Sequence, residues 1–288
     1  MVAIPILYVI VFSYIPMGGI ILAFKDYKYR LGIFGSPWVG LNNFRYFFIS
    51  GAAGRVIRNT LLYNMAFITA GMIIEVFFAI VLSEIRNRYF KKIAQSMMLL
   101  PFFISWVVVS SIVYSVLSYE YGLINNLLAG VGGEPVNLYA LPKAWPFILV
   151  FLRIWKGAGY GCIIYLANIT SIDPEIYEAA DIDGANIWQK TSAITLQHLR
   201  PTMVILFLLA MGGMFRGDFG MFYQIIRNNG TLLPYTDIID TFVFRALLSS
   251  SDVGMSAASG LFQSVLCFIT VMLANFVVTK IDPDYALF

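Results

Sequence analysis

Five ionisable side chains interrupt sequence that is otherwise apolar, and with them this chain could do chemistry. Glu75 stands midway along one apolar stretch, Arg153 and Lys156 lie three residues apart in another, and Arg216 and Asp218 flank Gly217 in a third. A charge at that depth is costly enough that it faces a wet cavity or a partner of opposite sign. Arg153 and Lys156 share one helix face, lie too deep for snorkelling alone to place their charges in water, and should line a cavity. Two readings carry equal weight: Glu75 or Asp218 neutralises the cations, or the cations attract an anionic solute. For Glu75, structural pairing with a basic residue weighs at least as much as a contact with that solute. Arg216-Gly217-Asp218, following Gly212-Gly213, predicts an unwound segment facing that cavity. At such depth irregular backbone is tolerated only where it borders water or protein.

The frame that must position these residues is a set of membrane helices. Of the 288 residues 59% are apolar and 12% charged, against roughly 25% charged in a soluble domain, and the mean hydropathy is +0.78. Six stretches reach the length of about 20 apolar residues that a helix needs to cross a hydrocarbon core. They lie near 2–24, 60–84, 93–118, 145–168, 201–221 and 256–279. None alternates with the period of two that a barrel strand shows, so the expected fold class is an all-α integral membrane protein of one domain, 1–288. Pro5 and Pro16 to Gly19 predict a kink in the first span. Gly157, Gly159 and Gly161 predict close packing or a local break in the fourth.

Other chemistries find no support. The net charge is +3, and no basic run is interleaved with aromatics as single-strand nucleic-acid binding requires. Cys162 and Cys267 show neither metal nor disulfide spacing and read as small buried apolar residues. The single histidine, His198, reads as an interfacial residue, and no Ser/His/Asp, Cys/His or H-E-x-x-H arrangement can be built. The chain is therefore expected to have no catalytic site, no metal and no bound cofactor. It also lacks G-x-x-x-x-G-K-[ST], the loop that cradles ATP phosphates. Met1 leads directly into apolar sequence with no basic region, and the first span is too long for a signal-peptide core.

Arg86, Arg88, Lys91 and Lys92 crowd the short turn after the second span, which argues that this turn, both termini and the 169–200 loop are cytoplasmic. Lys25, Lys28, Arg30, Arg45, Arg55 and Arg58, all in the 25–58 segment, oppose this orientation. In the same segment Trp38, Phe44, Tyr46 and Phe47 read as an interfacial set at headgroup level.

Between the fourth and fifth spans lies a polar interval, Asp173 to Pro201. Asp173 can cap a helix with Pro174 at its first position. That helix should pass through Glu178-Ala179-Ala180 and end at Gly184, whose backbone can take φ > 0. A second, amphipathic helix should follow with Ile187, Trp188, Thr191 and Ile194. Ala179 and Ala180 have no bulk, and Glu178, Asp181 and Asp183 offer acceptors, so the loop suits docking by another protein. On these residues alone, an ordinary helical loop is an equal reading.

Glu178, Ala179, Ala180, Gly184, Ile194, Leu196 and Pro201 resemble the EAA loop of permease subunits in bacterial ATP-binding-cassette importers, although Gln197-His198 stands where that pattern has Leu-Pro. Phe24 to Tyr27 and Gly32 to Gly40, FKDY and GIFGSPWVG, are similar to the importers of polysaccharides and larger oligosaccharides, alginate importers among them. Thr236, Asp240, Thr241, Phe242, Phe244 and Ser256 to Gly260 resemble the segment before the family's last span. The likeness thus runs from Lys25 nearly to Lys280.

The resemblance implies a type I importer permease fold, six transmembrane helices with a cytoplasmic coupling helix between the fourth and fifth, in a bacterial inner membrane. It implies that Glu178 to Asp181 and Asp183 to Ala185 couple the chain to ATPase subunits, which hold ATP and magnesium. Further implied partners are a second permease subunit, either a copy or a paralogue, an extracytoplasmic solute-binding protein and a saccharide. Glu75, Arg153, Lys156, Tyr160, Arg216 and Asp218 become pathway residues. Trp106, Tyr114, Trp155 and Tyr160 offer faces for sugar rings, although packing is the commoner use of such residues. Arg153, Lys156, Arg216 and the basic outer segment favour an anionic substrate such as a uronate polymer. A basic segment usually precedes the first span of such permeases, which implies a shortened N-terminus here. The alternative is a stand-alone secondary transporter or channel, which predicts internal repeats; none is evident between 1–144 and 145–288.

Overall fold

The long apolar stretches form helices, which pair most backbone donors and acceptors within one segment. A computed structural model of the chain describes residues 2–49, 51–250 and 252–286. Its principal helices are α1 Ala3–Phe24, α2 Asn42–Ile49, α3 Ala53–Glu84 and α4 Arg88–Phe103. They continue as α5 Trp106–Leu117, α6 Leu123–Gly130, α7 Trp145–Ile169 and α8 Pro174–Ile182. The last four are α9 Ile187–Met211, α10 Phe219–Ile226, α11 Ile239–Ser250 and α12 Val253–Ile281. Among the described residues α1, α3, α7, α9 and α12 are long and apolar enough to cross a membrane, and α4 with α5 makes a sixth, broken span.

The third span departs from the continuous helix expected over 93–118. Its two halves meet at a bend of 97°. Pro101 lacks the N–H that the last turn of α4 needs, the chain is extended at Ile104 and Ser105, and the Ser105 side chain accepts from Val108 N–H to start α5. The fifth span also differs. It was expected over 201–221, whereas α9 begins at Ile187 and ends at Met211. Its helix widens to π geometry at Thr191–Thr195 and then carries Pro201 internally. In α1 the proline- and glycine-rich stretch changes the pitch, with π geometry at Ile10–Tyr14 and 3₁₀ geometry at Gly18–Phe24. In α7 the three glycines serve close packing, and the helix is unbroken. A Cβ on Gly159 would stand 1.9 Å from the Met98 carbonyl oxygen, so α4 rests directly on the backbone of α7.

Apolar side chains close the bundle in separate clusters. Tyr63, Trp145, Leu149, Met221, Phe222 and Ile225 pack at the N-terminal half of α3, while Val76, Leu82, Cys162, Tyr165 and Leu199 pack at its C-terminal half. Phe47, expected at headgroup level, is instead buried against Phe242 and Phe262. Trp38 remains exposed and Phe44 is half-buried; the Tyr46 side chain lies outside the described residues.

Two of the six basic residues of the 25–58 segment are absorbed by structure. Lys25 is buried; its Nζ donates to the Ile33 and Phe34 carbonyls at 2.9 Å each and lies over the Trp38 ring. Arg55 and Arg245 pair with Asp237, at 3.7 and 2.5 Å, and the Asp237 side chain is fully buried. Arg86 and Arg88 stand exposed in the turn after α3.

Candidate functional site

A cavity of about 480 Å³ lies among α3, α7, α9 and the segment that follows Met211. Glu75, Arg153, Arg216 and Asp218 line it, together with Asn64 and Tyr165. Lys156 and Tyr160 are not part of its lining. The six pathway residues expected from the sequence therefore divide into a set of four and a separate pair.

The segment between α9 and α10 is unwound, as its glycines predict, and runs from Gly212 to Asp218. Side chains from other helices hold its backbone. Asn64 Nδ2 donates to the Met214 and Arg216 carbonyls at 2.9 and 3.0 Å, and Gln263 Nε2 donates to the Phe215 carbonyl at 2.9 Å. The Gly217 N–H donates to Asp240 Oδ2 at 2.7 Å, which also accepts from Gln263 Nε2 at 3.1 Å. A Cβ at Gly217 would stand 2.2 Å from Ile238 Cδ1, so a side chain here would have to displace the buried Ile238. Burial raises the Asp240 pKa from its ordinary value, and these hydrogen bonds and Arg216 offset part of the rise.

Asp218 joins the two helix breaks. Its Oδ1 accepts from the Met221 N–H at 3.1 Å, capping α10. Its Oδ2 accepts from Trp106 Nε1 at 3.0 Å and lies 3.9 Å from Arg153 Nε. Of the two structural pairings left open by the sequence, Arg153 with Asp218 is therefore present. Glu75 makes no ion pair among the described residues. It lies against Gly161, where a Cβ would come within 2.1 Å of its carboxyl carbon.

Lys156 has a different task. Its Nζ donates to the Phe102 carbonyl at 2.7 Å and to the Pro101 carbonyl at 3.3 Å, between the rings of Phe102 and Trp106. These carbonyls belong to the last turn of α4, where helix oxygens lack the usual intrahelical partner; the Pro101 carbonyl also accepts from the Ile104 N–H at 3.2 Å. A cation there also opposes the negative end of the helix dipole. Tyr160 stacks on Phe102 at 4.6 Å and 10°, extending the same support. Tyr114 lies under Arg227, 4.6 Å from its guanidinium carbon, and Trp155 is half-exposed beside an apolar groove. Asn64 and Gln263 are not marked in the sequence by charge. The available signal was an amide side chain inside an apolar span, which needs a polar partner as a charge does.

Between α7 and α9 the Asp173 side chain caps α8 through the Glu175 N–H at 3.0 Å. The helix ends with the Gly184 N–H on the Asp181 carbonyl, the Ala185 N–H on the Ala180 carbonyl and Gly184 at φ +76, the pattern of a glycine C-cap. Asn186 and Gln189 form a reciprocal cap that opens α9. Glu178, Ala179, Asp181, Asp183 and Gly184 are exposed, and Ala180 and Ala185 are half-buried. Asp181 is not a free acceptor, because it pairs with Lys190 at 2.7 Å. Tyr177 Oη and Thr195 Oγ1, 2.9 Å apart, fasten α8 to α9 a second time.

A family model described as the binding-protein-dependent transport system inner membrane component matches residues 68–283. The chain belongs to this family. This inner membrane component is therefore a multi-pass transport permease. It is 37% identical over 279 residues to the polygalacturonan/rhamnogalacturonan transport system permease protein YteP of Bacillus subtilis (strain 168), covering 96% of this chain and 86% of that protein. It is 33% identical to Protein LplB of the same organism, covering 97% and 87%. A chain in the crystal structure of a bacterial ABC transporter involved in the import of the acidic polysaccharide alginate superposes with a TM-score of 0.89 at 31% identity, over 98% of this permease and 94% of that chain. The permease thus has the all-helical fold expected of a type I importer subunit, with its third span broken.

Proposed function

We propose that this permease forms half of the translocation pathway of an ATP-driven importer for an oligo- or polysaccharide, delivered by an extracytoplasmic binding protein. The names of its relatives and of its structural neighbour support a polysaccharide, and an acidic one in particular. ATP and magnesium belong to partner ATPase subunits, since this sequence has no phosphate-binding loop. A second permease subunit completes the pathway. In this reading α8 and the start of α9 face the cytoplasm with both termini, as the exposed Arg86 and Arg88 also favour.

The observation that carries the proposal is the docking surface on this loop. Ile182 is 88% and Trp188 80% exposed on either side of the Gly184 turn, rimmed by the exposed carboxylates of Glu178 and Asp183. An aromatic and an aliphatic anchor within a polar rim is how the centre of a protein interface is built. The loop is also connected directly to the site. From Ile187 one helix continues to Met211, and the unwound segment that lines the cavity follows immediately. Movement of the loop by closing ATPase subunits thus reaches Arg216 and Asp218 and biases two packings of the bundle.

The test is ATP hydrolysis by the complex reconstituted with its binding protein and a panel of saccharides, comparing wild type with Glu178→Ala and Gly184→Ala. Saccharide-stimulated hydrolysis that disappears in the variants, while the chain still inserts, is the expected result. If no ATPase associates, or hydrolysis ignores the loop, a stand-alone transporter or channel takes the proposal's place.

A further inference from the structure

We infer that Arg216 recognises the carboxylate of an acidic saccharide and so sets the preference of this permease for charged over neutral substrate. The inference rests on the importer reading above and deepens it.

Three cations were available for this role, and the structure occupies two of them. Arg153 is paired with Asp218, and Lys156 is held by the carbonyls at the end of α4. Arg216 is the cation of the cavity lining with no carboxylate within ion-pair distance among the described residues. Its side-chain hydrogen bond is to Ser264 Oγ, 3.2 Å from one terminal nitrogen. A guanidinium carries five N–H donors in a planar fork that matches a carboxylate, so most of its donors remain for a ligand. The carboxylates nearest in the chain or in space are already engaged. Asp218 accepts from Met221 N–H, Trp106 and Arg153, and Asp240, near enough to feel the Arg216 charge but not in an ion pair with it, accepts from Gly217 N–H and Gln263.

The backbone around Arg216 is fixed in advance. Its carbonyl accepts from Asn64 and its N–H donates to the Gly213 carbonyl, while the flanking Phe215 carbonyl and Gly217 N–H are held by Gln263 and Asp240. This fixes where the Arg216 side chain starts, and the Ser264 bond steadies its far end, which lowers the ordering cost of a recognition contact. Glu75 stands well away from this cation: Asn64 marks the level of Arg216 on α3, and Glu75 lies eleven residues further along that helix, roughly 16 Å at the rise of an α-helix.

The experiment measures ATP-driven uptake by vesicles containing the whole complex and its binding protein. The probes are a uronate oligomer and the same oligomer with its carboxylates reduced to primary alcohols. The readout is the ratio of the two uptake rates. Arg216→Gln should lower this ratio about tenfold or more, the usual scale of a hydrogen bond to a charged group, and Arg216→Lys should recover part of it. A ratio that stays at the wild-type value, with the two rates falling together or not at all, overturns the inference. So does a wild-type complex that takes up only the reduced oligomer, an outcome that leaves the importer reading standing. A wild-type complex that takes up neither overturns both.

Discussion

Trp106 Nε1 donates to Asp218 Oδ2 at 3.0 Å across 112 positions of sequence. One residue opens the second half of the broken third span, and the other closes the unwound segment of the fifth. The two irregularities are therefore one structural unit. A hydrogen bond to a charged acceptor contributes about 1.5–3 kcal/mol. Trp106→Phe keeps the ring and removes the donor, so it should lower the stability of the complex by an amount in that range, measurable by thermal unfolding in detergent. Stability equal to wild type would show that the two breaks are held independently.

Gly161 and Gly157 provide a matched pair on α7. Alanine is worth about 1 kcal/mol more than glycine in a helix interior, which alone predicts that both substitutions help. At Gly161 the new methyl would stand 2.1 Å from the Glu75 carboxyl carbon and at Gly157 3.1 Å from Arg153 Nη1; both neighbours are ends of flexible side chains, so the deeper overlap at Gly161 is what separates the pair. Overpacking costs about 1–3 kcal/mol, so Gly161→Ala should destabilise and Gly157→Ala should not. Glu75→Ala combined with Gly161→Ala should recover most of the loss in a double-mutant cycle; strict additivity would contradict the contact.

Lys156 and Arg216 are separable by their effects. Lys156→Gln weakens the support of the α4 carbonyls, and we expect reduced thermal stability with an unchanged ratio of acidic to neutral uptake. Arg216→Gln should do the reverse. A selective loss of acidic uptake on changing Lys156 would mean that its carbonyl contacts yield to substrate.

Asp240 makes the assembly sensitive to pH. Burial is the largest influence on this carboxyl and raises its pKa in the folded state. A group whose folded pKa lies above its unfolded one contributes stability that is complete below the unfolded pKa and is lost as pH rises through the folded pKa. Unfolding midpoints should therefore fall as pH rises through the ordinary carboxylate range toward the raised Asp240 pKa. In Asp240→Asn this component should be absent, and a fall of the same size in that variant would assign it to another group.

Much of this protein is legible in its residues taken singly. Length and hydropathy determined the membrane helices, because a helix must pair its own backbone in lipid whatever surrounds it. Gly212 to Asp218 announced an unwound segment, and Asp173 and Gly184 announced the ends of α8, because capping and φ > 0 are local properties. Ile182 and Trp188 stand out only once the fold leaves them uncovered. Partnership was decided by tertiary structure alone. Arg153, Lys156 and Arg216 are three similar cations in the sequence, and which of them is neutralised, held by carbonyls or left available depends on residues 48 to 65 positions away. Those distances are set by how helices cross, and the energy of a charge depends on what the crossing brings within about 4 Å.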